Sequence, residues 1–313
     1  MDKNTLSNYG WIVIAVLVLS VMIALATPFG QYVEQGVRAT TEGLFNTSRN
    51  AVNSAFEDLG VQIDDQTFEE GYTGVNGTPA SELPVKGKTL EEYTWAEARD
   101  VIVAGKAEEY GFSVGATKSL TYNNNNYTAR IIGLDQDGIN TATFMFTSSV
   151  GNYVMNSCSI NTGGFAASDM NSWLNSTAYG LLDDDVKSAI TSVIKTNNLG
   201  IENPTGTSSS SCKLFLLSVK EVGLKEELND WSGYEYEHID SIDAESTLTY
   251  TYFQTSGQSR RQEISNNTNY NWWWLRSAYS YYDNYFFCVY NFGELGSDGV
   301  NDDIDVVPAF VIG

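Results

Sequence analysis

The residues best suited to chemistry form a single cluster near the C-terminus that could bind a ligand. Tyrosine, aspartate and asparagine crowd a short window in which apolar periodicity is weak. Tyrosine gives a large contact area at low side-chain entropy cost, and asparagine gives adaptable hydrogen bonds, as in antibody combining sites. This composition predicts that eight residues bind a ligand: Tyr279, Tyr281, Tyr282, Asp283, Asn284, Tyr285, Tyr290 and Phe292. The alternative is a tyrosine-rich strand pair whose rings only pack together, since β-strands favour aromatic residues.

Cysteine and histidine chemistry finds little support. The three cysteines, Cys158, Cys212 and Cys288, are odd in number and form no CxxC pair, which argues against a disulfide framework and against a zinc site. A single bridge between Cys158 and Cys212 remains open. Cys288 lies among acidic residues, whereas a reactive thiolate needs a positive neighbourhood. His238 is the only histidine, and its acidic, polar neighbours predict a surface position.

Carboxylates offer a second kind of chemistry. The acidic runs Asp298–Asp305 and Asp135–Asp137 could bind Ca²⁺ through oxygen atoms, but neither has the spacing of an EF-hand loop. Acidic surface turns explain both runs, so we expect no metal and keep Ca²⁺ as the one open cofactor. Ser172 and Ser218 have no adjacent base for nucleophilic catalysis. We therefore expect no enzyme activity; a glycan hydrolase would require two carboxylates about 5 to 9 Å apart in a cleft.

The charge of the chain excludes one class of partner. The 313 residues carry a formal net charge of −22, with 42% hydrophobic residues. A strongly acidic surface repels phosphate backbones, so we expect no nucleic-acid partner. The hydrophobic content is sufficient for a sizeable core.

Strands on either side of the tyrosine cluster must position it. The apolar residues Trp273, Leu275, Phe287, Val289 and Gly293 are predicted to be buried, and strand alternation then predicts that the ligand-binding residues are exposed. Arg276 follows a tryptophan run in a stretch poor in positive charge. We expect it to be structural and to pair with a buried carboxylate or with carbonyl groups.

The N-terminus has the pattern of a membrane anchor, assigned to residues 1–29. Gly10–Phe29 contains no charge, and about 20 such residues span one bilayer core. Trp11 occupies the place of an interfacial aromatic residue. A cleaved signal peptide is the alternative, because Ala24-Leu25-Ala26 resembles a cleavage signal. An external C-terminal part is expected.

Residues 30–60 are predicted to form an amphipathic stalk helix, and residues 61–84 a glycine-rich acidic linker. Apolar residues of the stalk recur mostly three, four or seven positions apart. An apolar half followed by an amphipathic half resembles the N-terminal helix of type IV pilin-like subunits, which assemble into filaments. The chain departs from that family in lacking both a basic leader and an acidic residue near position five of the apolar run. A plain membrane anchor with a helical stalk is the alternative.

Residues 85–313 are predicted to form one α+β domain. The capping-box pattern at Thr94–Glu97 predicts a helix start, and Asp183 and Ser168 also lie where helices would begin. The second of the short helices is predicted to bury Val186, Ile190, Val193 and Ile194 on one face. A hairpin is predicted across 123–126, strands at 142–147 and 213–217, and a Ser/Thr/Gly loop over 203–211.

Several motifs of this domain resemble those of a bacterial family described only as a domain of unknown function. They occur in the family's order and cover nearly all of residues 88–313. The segments WWLRS and VVPAF also resemble those of the C-type-lectin-like fold seen in formylglycine-generating enzymes. That resemblance implies a small twisted sheet whose loops present a ligand face. The motifs are ARIIGLDQDG (129–138), NTGGFAASDMNSWLN (161–175), KLFLLSVKEV (213–222), SGYEY (232–236), WWLRS (273–277) and VVPAF (306–310).

The last segment also resembles the variable region of proteins diversified by retroelements. Those systems mutate adenines, so asparagine codons become tyrosine, aspartate, serine or phenylalanine. Here the apparently constant WWLRSA and VVPAF segments enclose scattered residues of those types. The resemblance implies a surface whose sequence varies while its framework stays constant.

Together these features predict a membrane-anchored protein with an extracellular ligand-binding domain. Its expected partner is an external protein or glycan, and the stalk could allow a homo-oligomer or filament. The alternative is a pilin-like structural subunit of a cell-surface filament, whose C-terminal cluster would contact sister subunits.

Overall fold

The computed structural model describes residues 83–203, 206–230, 242, 245, 246, 248–254, 272–290 and 293–313. The predicted anchor, stalk and most of the linker lie outside these residues, as do Phe292, His238 and the SGYEY motif. Within the described residues, every helix is too short or too polar to cross a bilayer.

The described domain mixes strands with short helices, which confirms the α+β class at this coarse level. The α-helices are α1 (Trp95–Val103), α2 (Asp169–Trp173), α3 (Asp184–Ala189) and α4 (Thr251–Gln254). A π-helix at Leu174–Ala178 continues α2. The 3-10 helices are Leu90–Glu92, Glu108–Tyr110, Phe165–Ala167, Gly200–Glu202 and Lys225–Asp230.

Twelve strands are described, and eight of them have five or more residues. Their bounds are β1 (Thr117–Tyr122), β2 (Asn125–Leu134), β3 (Ala142–Phe146), β4 (Asn152–Tyr153), β5 (Ile190–Thr191), β6 (Val193–Asn198), β7 (Thr207–Cys212), β8 (Trp273–Ala278), β9 (Tyr285–Val289), β10 (Leu295–Gly299), β11 (Ile304–Asp305) and β12 (Ala309–Ile312).

The first sheet has the strand order β1-β2-β3-β12-β5. The β1–β2 hairpin turns at Asn123 and Asn124, which adopt φ values of 48° and 59°. Asparagine tolerates this left-handed conformation, which a two-residue hairpin turn requires. The C-terminal strand β12 pairs antiparallel with both β3 and β5, so the VVPAF segment leads into the middle of this sheet.

The second sheet has the order β10-β9-β8-β11-β4, and β6 with β7 forms a separate two-stranded ribbon. Strand β8, which carries the WWLRS segment, is buried along its whole length. It pairs antiparallel with β9 and parallel with β11. A central strand covered on both faces is expected to be largely apolar rather than alternating, and β8 departs from this only at Arg276 and Ser277.

Aromatic rings join helix α1 to the first sheet. The ring of Trp95 lies 5.2 Å from that of Phe144 and 5.8 Å from that of Phe310, both in edge-to-face geometry. The side chain of Thr94 accepts a hydrogen bond from the backbone N–H of Glu97, which confirms the predicted capping box. Helix α2 is also capped as predicted, by the side chain of Ser168.

The prediction that the second short helix extends to Ile194 is wrong beyond Ala189. Helix α3 ends there, and the β-branched residues that follow form β5 and β6. Branched side chains lose rotamer freedom in a helix and fit a pleated strand, so pairing with β12 and β7 prevails here. Ile194, predicted to be on the buried face, is 68% exposed.

Two further assignments differ from the prediction. Residues 207–211, predicted to lie in a loop over 203–211, instead belong to β7, because pairing with β6 overrides the weak strand propensity of serine. The segment 213–217 has a fully buried apolar run, as predicted, but contributes only an isolated bridge between Phe215 and Ala309 rather than a strand.

Candidate functional site

The turn between β8 and β9, residues 279–284, is the part of the predicted cluster that reaches solvent. The exposed fractions of the Tyr281 and Tyr282 side chains are 47% and 44%, and Asp283 is also exposed. The rings of Tyr281 and Tyr282 meet edge to face with centroids 4.8 Å apart. The two exposed rings form an apolar surface next to the carboxylate of Asp283.

A buried side chain from another segment holds this turn. The side-chain amide of Asn161 lies 2.7, 2.8 and 2.9 Å from the carbonyl oxygens of Tyr279, Tyr282 and Tyr285, and its two N–H groups are shared among them. The backbone N–H of Asn161 donates to the carbonyl of Asp283 at 2.5 Å. The turn is therefore fixed through its backbone, independently of the side chains it displays.

The segment that carries Asn161 is itself held in place. The carbonyl of Ile160 accepts a 2.7 Å hydrogen bond from the side-chain amide of Asn156. We call the exposed residues of the turn, Tyr281, Tyr282 and Asp283, the aromatic surface. Asp283 is the only charged residue in the sequence segments 156–164 and 279–286, so these two segments contribute a negative charge without a basic one.

The prediction that Tyr279 is exposed is wrong. Its side chain is only 4% exposed, because its ring packs edge to face on Phe287 at 5.2 Å. Tyr285 and Asn284 are half-buried at the base of the turn. The rings of Tyr279 and Tyr285 lie beside the exposed ring of Tyr282, with centroids 5.9 and 5.5 Å away, so the exposed residues of the turn are Tyr281, Tyr282 and Asp283.

Tyr290 is not brought to this surface. It follows β9 at the end opposite the aromatic surface, where its ring lies 4.3 Å from that of Trp272. A Cβ atom on Gly296 would overlap the Tyr290 ring, so the ring lies directly on that glycine. The phenol donates a 3.0 Å hydrogen bond to the carbonyl of Ser297. Tyr290 therefore packs within the β9–β10 hairpin, at a distance from the turn that carries the other predicted residues.

The alternation predicted for the framework is only partly correct. Trp273, Leu275, Phe287 and Val289 are buried as expected. Their neighbours in β8 and β9 are buried too, because both strands are covered on both faces: Trp274, Arg276, Phe286 and Cys288. Sequence periodicity therefore does not identify the exposed residues of this stretch. They are the residues of the β8–β9 turn.

Arg276 is structural, as predicted. Its guanidinium forms a bidentate pair with the buried carboxylate of Glu221 and donates to the carbonyl of Leu216 at 3.1 Å. It also donates to the carbonyls of Thr196 and Glu245, each at 3.2 Å. The charges of Arg276 and Lys195 outweigh the opposing effect of burial and lower the pKa of Glu221 to about 2. Arg276 thus links β8 to three other segments.

Asn198 and Glu245 connect the buried contacts of Arg276 to Ala278, the last residue of β8 before the turn. The side chain of Asn198 donates to the carbonyl of Ala278 at 2.6 Å and accepts from its N–H at 2.7 Å. Glu245 in turn accepts hydrogen bonds from the backbone N–H of Asn198, at 3.0 Å, and from the hydroxyl of Ser277. Sequence reasoning missed Asn198 and Glu245, because neither lies in a pattern that indicates burial.

The ionisation of Glu245 predicts a pH effect on stability. Burial raises the pKa of Glu245 to about 7, above the ordinary value of 4.5, although the charge of Arg276 opposes the shift. A raised folded-state pKa means that the stabilisation is complete below pH 4.5 and is lost as the pH rises through 7. We expect the free energy of unfolding of the wild-type chain to fall, relative to that of Glu245→Gln, between pH 5 and pH 8.

Urea denaturation of both proteins across this range measures the difference. Glutamine represents the protonated carboxyl, so the variant should lack this component of the pH dependence. Equal slopes for the two proteins between pH 5 and pH 8 would contradict the assignment.

The cysteines and the acidic run near the C-terminus show no sign of a disulfide or of a metal site among the described residues. All three cysteines are free thiols, and burial raises the pKa of Cys288 well above its ordinary value. Desolvation, with a hydrogen bond to Asp302, raises the pKa of Asp298 to about 6. Within the described ranges, no group of three or more His, Cys, Asp or Glu side chains could hold a metal ion.

Comparisons with known proteins place most of this domain in one family. A family model described as "Domain of unknown function (DUF6273)" matches residues 140–313. The match includes the motifs from NTGG to VVPAF, whereas ARIIGLDQDG precedes it. Neither the curated proteins nor the solved structures include a match to this chain.

Proposed function

The chain belongs to the DUF6273 family, and we propose that this member binds an external ligand through its aromatic surface. The observation that carries the proposal is the exposure of Tyr281 and Tyr282 on a turn held by Asn161. Rigid aromatic anchors contribute most of the binding energy in many interfaces. Because the turn is already ordered, little conformational entropy remains to be lost on binding.

The same geometry supports a surface whose sequence can vary. Asn161 contacts only main-chain carbonyls of the turn, so replacing Tyr281 or Tyr282 leaves these hydrogen bonds intact. A framework fixed by main-chain contacts suits diversification of the displayed side chains. We further propose a C-type-lectin-like arrangement, supported by the WWLRS strand in the second sheet and the β8–β9 turn presented at its end.

We retain the membrane-anchored, extracellular setting as part of the proposal. Its support is the uncharged stretch Gly10–Phe29 and the acidic composition of the whole chain. The surface is suited to a protein or a glycan ligand. Tyrosine rings pack against apolar side chains and against sugar rings, and Asp283 can accept hydrogen bonds from both kinds of ligand. The pilin-like alternative rests on residues outside the described structure.

The test uses the purified full chain on a defined glycan array and on a random peptide library. For any retained probe, we expect the double variant Tyr281→Ser, Tyr282→Ser to weaken binding at least about tenfold, which corresponds to about 1.4 kcal/mol. Ile194→Ser is the control, because Ile194 is exposed on a different strand, β6. Probes that bind wild type and double variant equally would show that another surface binds them and would contradict the proposal.

A further inference from the structure

Lys195 lies in a buried cluster of polar side chains that has no part in the proposed ligand binding. The ammonium of Lys195 contacts three groups at once: Asp137 Oδ1 at 2.5 Å, the Tyr250 hydroxyl at 2.9 Å and Glu221 Oε1 at 3.2 Å. Lys195, Glu221 and Tyr250 are buried, and the Lys195 nitrogen lies 4.1 Å from the centroid of the Phe215 ring. Taking such charges out of water is unfavourable, and their attraction offsets this only in part.

The two oxygens of Asp137 have different surroundings. Oδ1 faces the lysine nitrogen, whereas Oδ2 accepts hydrogen bonds from Thr143 Oγ1 and from the Tyr250 hydroxyl, each at 2.5 Å. Burial and neighbouring carboxylates raise the pKa of Tyr250, so that its phenol keeps its proton and remains a donor. Two donors on one oxygen stabilise negative charge there during nucleophilic addition to the carboxyl carbon.

We propose that Lys195 and Asp137 condense to form an intramolecular amide bond, with Glu221 as the proton acceptor and donor. The structure thus describes the assembled reactants: an amine, a carboxyl group with a polarised oxygen, and a second carboxylate within reach of the amine. Holding reactants together in this way replaces a bimolecular encounter and can equal an effective concentration of about 10⁵ M or more.

The proton balance of the reaction closes within these residues. One proton moves from the Lys195 ammonium to Asp137 Oδ1, which leaves a neutral amine and a carboxylic acid. The nitrogen lone pair then forms the Nζ–Cγ bond, and negative charge develops on Oδ2 between Thr143 and Tyr250. Glu221 takes a second proton from the nitrogen and returns it to Oδ1 as the Cγ–Oδ1 bond breaks.

The products are a neutral amide and one water molecule, and Glu221 ends in its original state. The ammonium and carboxylate charges of the pair both disappear from the buried site. The condensation involves no oxidation or reduction and needs no external reagent. The resulting bond joins the segment after β2 to β6, which are separated by 58 positions in the chain.

An exposed ion pair provides the natural comparison. Lys187 and Asp184 approach to 2.8 Å, but the Asp184 side chain is almost fully exposed. Water stabilises both charges there, because the Asp184 carboxylate lies in solvent. Proximity alone therefore does not provide the conditions that surround Asp137.

The experiment is peptide mapping of the purified full chain, denatured and digested with trypsin. We expect the peptides containing Asp137 and Lys195 to be recovered as one branched species, lighter than their sum by the mass of one water. Trypsin should not cleave after Lys195. Recovery of only linear peptides from the wild-type chain, with cleavage after Lys195, would overturn the proposal.

Three variants complete the test. Lys195→Met should give only the linear Asp137 peptide. Asp184→Asn, which changes the exposed ion pair and leaves every trypsin site in place, should retain the branched species. Glu221→Gln should remain unlinked while its circular dichroism spectrum shows a folded domain. A branched species in Glu221→Gln would overturn the role of Glu221, and a branched peptide containing Asp137 in Lys195→Met would overturn the identity of the nucleophile.

Discussion

Gly164→Ala is expected to lower the free energy of unfolding by at least about 3 kcal/mol, because strain and overlap add at this position. Gly164 has φ 62° and ψ −159°, a conformation that is essentially restricted to glycine. A Cβ atom there would also overlap the backbone carbonyl oxygen of Asn198. Neither a rotamer change nor a side-chain shift removes a clash between two main chains.

The same substitution should disturb the aromatic surface. Gly164 follows Asn161, which holds the turn, and packs on Asn198, which clamps Ala278 at the end of β8. Gly180→Ala is the matched control, since no atom lies within 4 Å of its added Cβ. Chemical denaturation of both variants measures the difference. A Gly164→Ala protein as stable as Gly180→Ala would show that the main chain near Asn198 can move at little cost.

Arg276→Met is the second substitution with a large expected effect, a loss of about 3 to 5 kcal/mol. Removing the guanidinium leaves Glu221 buried with Lys195 as its remaining cation. It also removes the donors to the carbonyls of Thr196, Leu216 and Glu245. Methionine retains much of the side-chain volume, so the loss reports the polar contacts more than a cavity.

An exposed ion pair serves as the control for Arg276. Lys106 and Glu109 lie 3.1 Å apart on the surface, and Lys106→Met should cost less than about 1 kcal/mol. Urea denaturation near pH 6 gives both values under conditions where Glu221, with its lowered pKa, is ionised. If the two variants lose similar stability, the buried network is not what holds β8 in place.

Glu221 and Glu245 should affect the pH dependence of stability in opposite directions, and acid should remove the contribution of Glu221. The contribution of the depressed Glu221 pKa is complete above 4.5 and is lost as the pH falls towards 2. The contribution of the raised Glu245 pKa is lost as the pH rises through 7. Together the two groups favour maximal stability between these limits.

Local signals in the sequence were sufficient for several elements. The capping box placed the start of α1, and paired asparagines placed the β1–β2 turn. Arg276 could be assigned a structural role because a lone cation beside a tryptophan run requires a buried partner. The contacts that determine the helix cap and the turn lie within a few residues of each other. For Arg276, the cost of burying an unpaired charge decides the outcome.

Elements that depend on distant pairing could not be placed in this way. The serine-rich segment 207–212 becomes a strand only because β6 lies beside it, and Ile190 leaves the predicted helix to pair with β12. Propensity is a weak guide where a partner strand supplies the hydrogen bonds.

The binding residues show the same division. The amino-acid sequence already concentrates tyrosine, asparagine and aspartate between two apolar runs, and this composition makes the segment a candidate for binding. The fold places Tyr279 against Phe287 and Tyr290 at the other end of β9, and it leaves Tyr281 and Tyr282 exposed. The physical reason is that Asn161, over a hundred positions away in the chain, fixes the turn through main-chain hydrogen bonds that leave no periodic trace in the sequence.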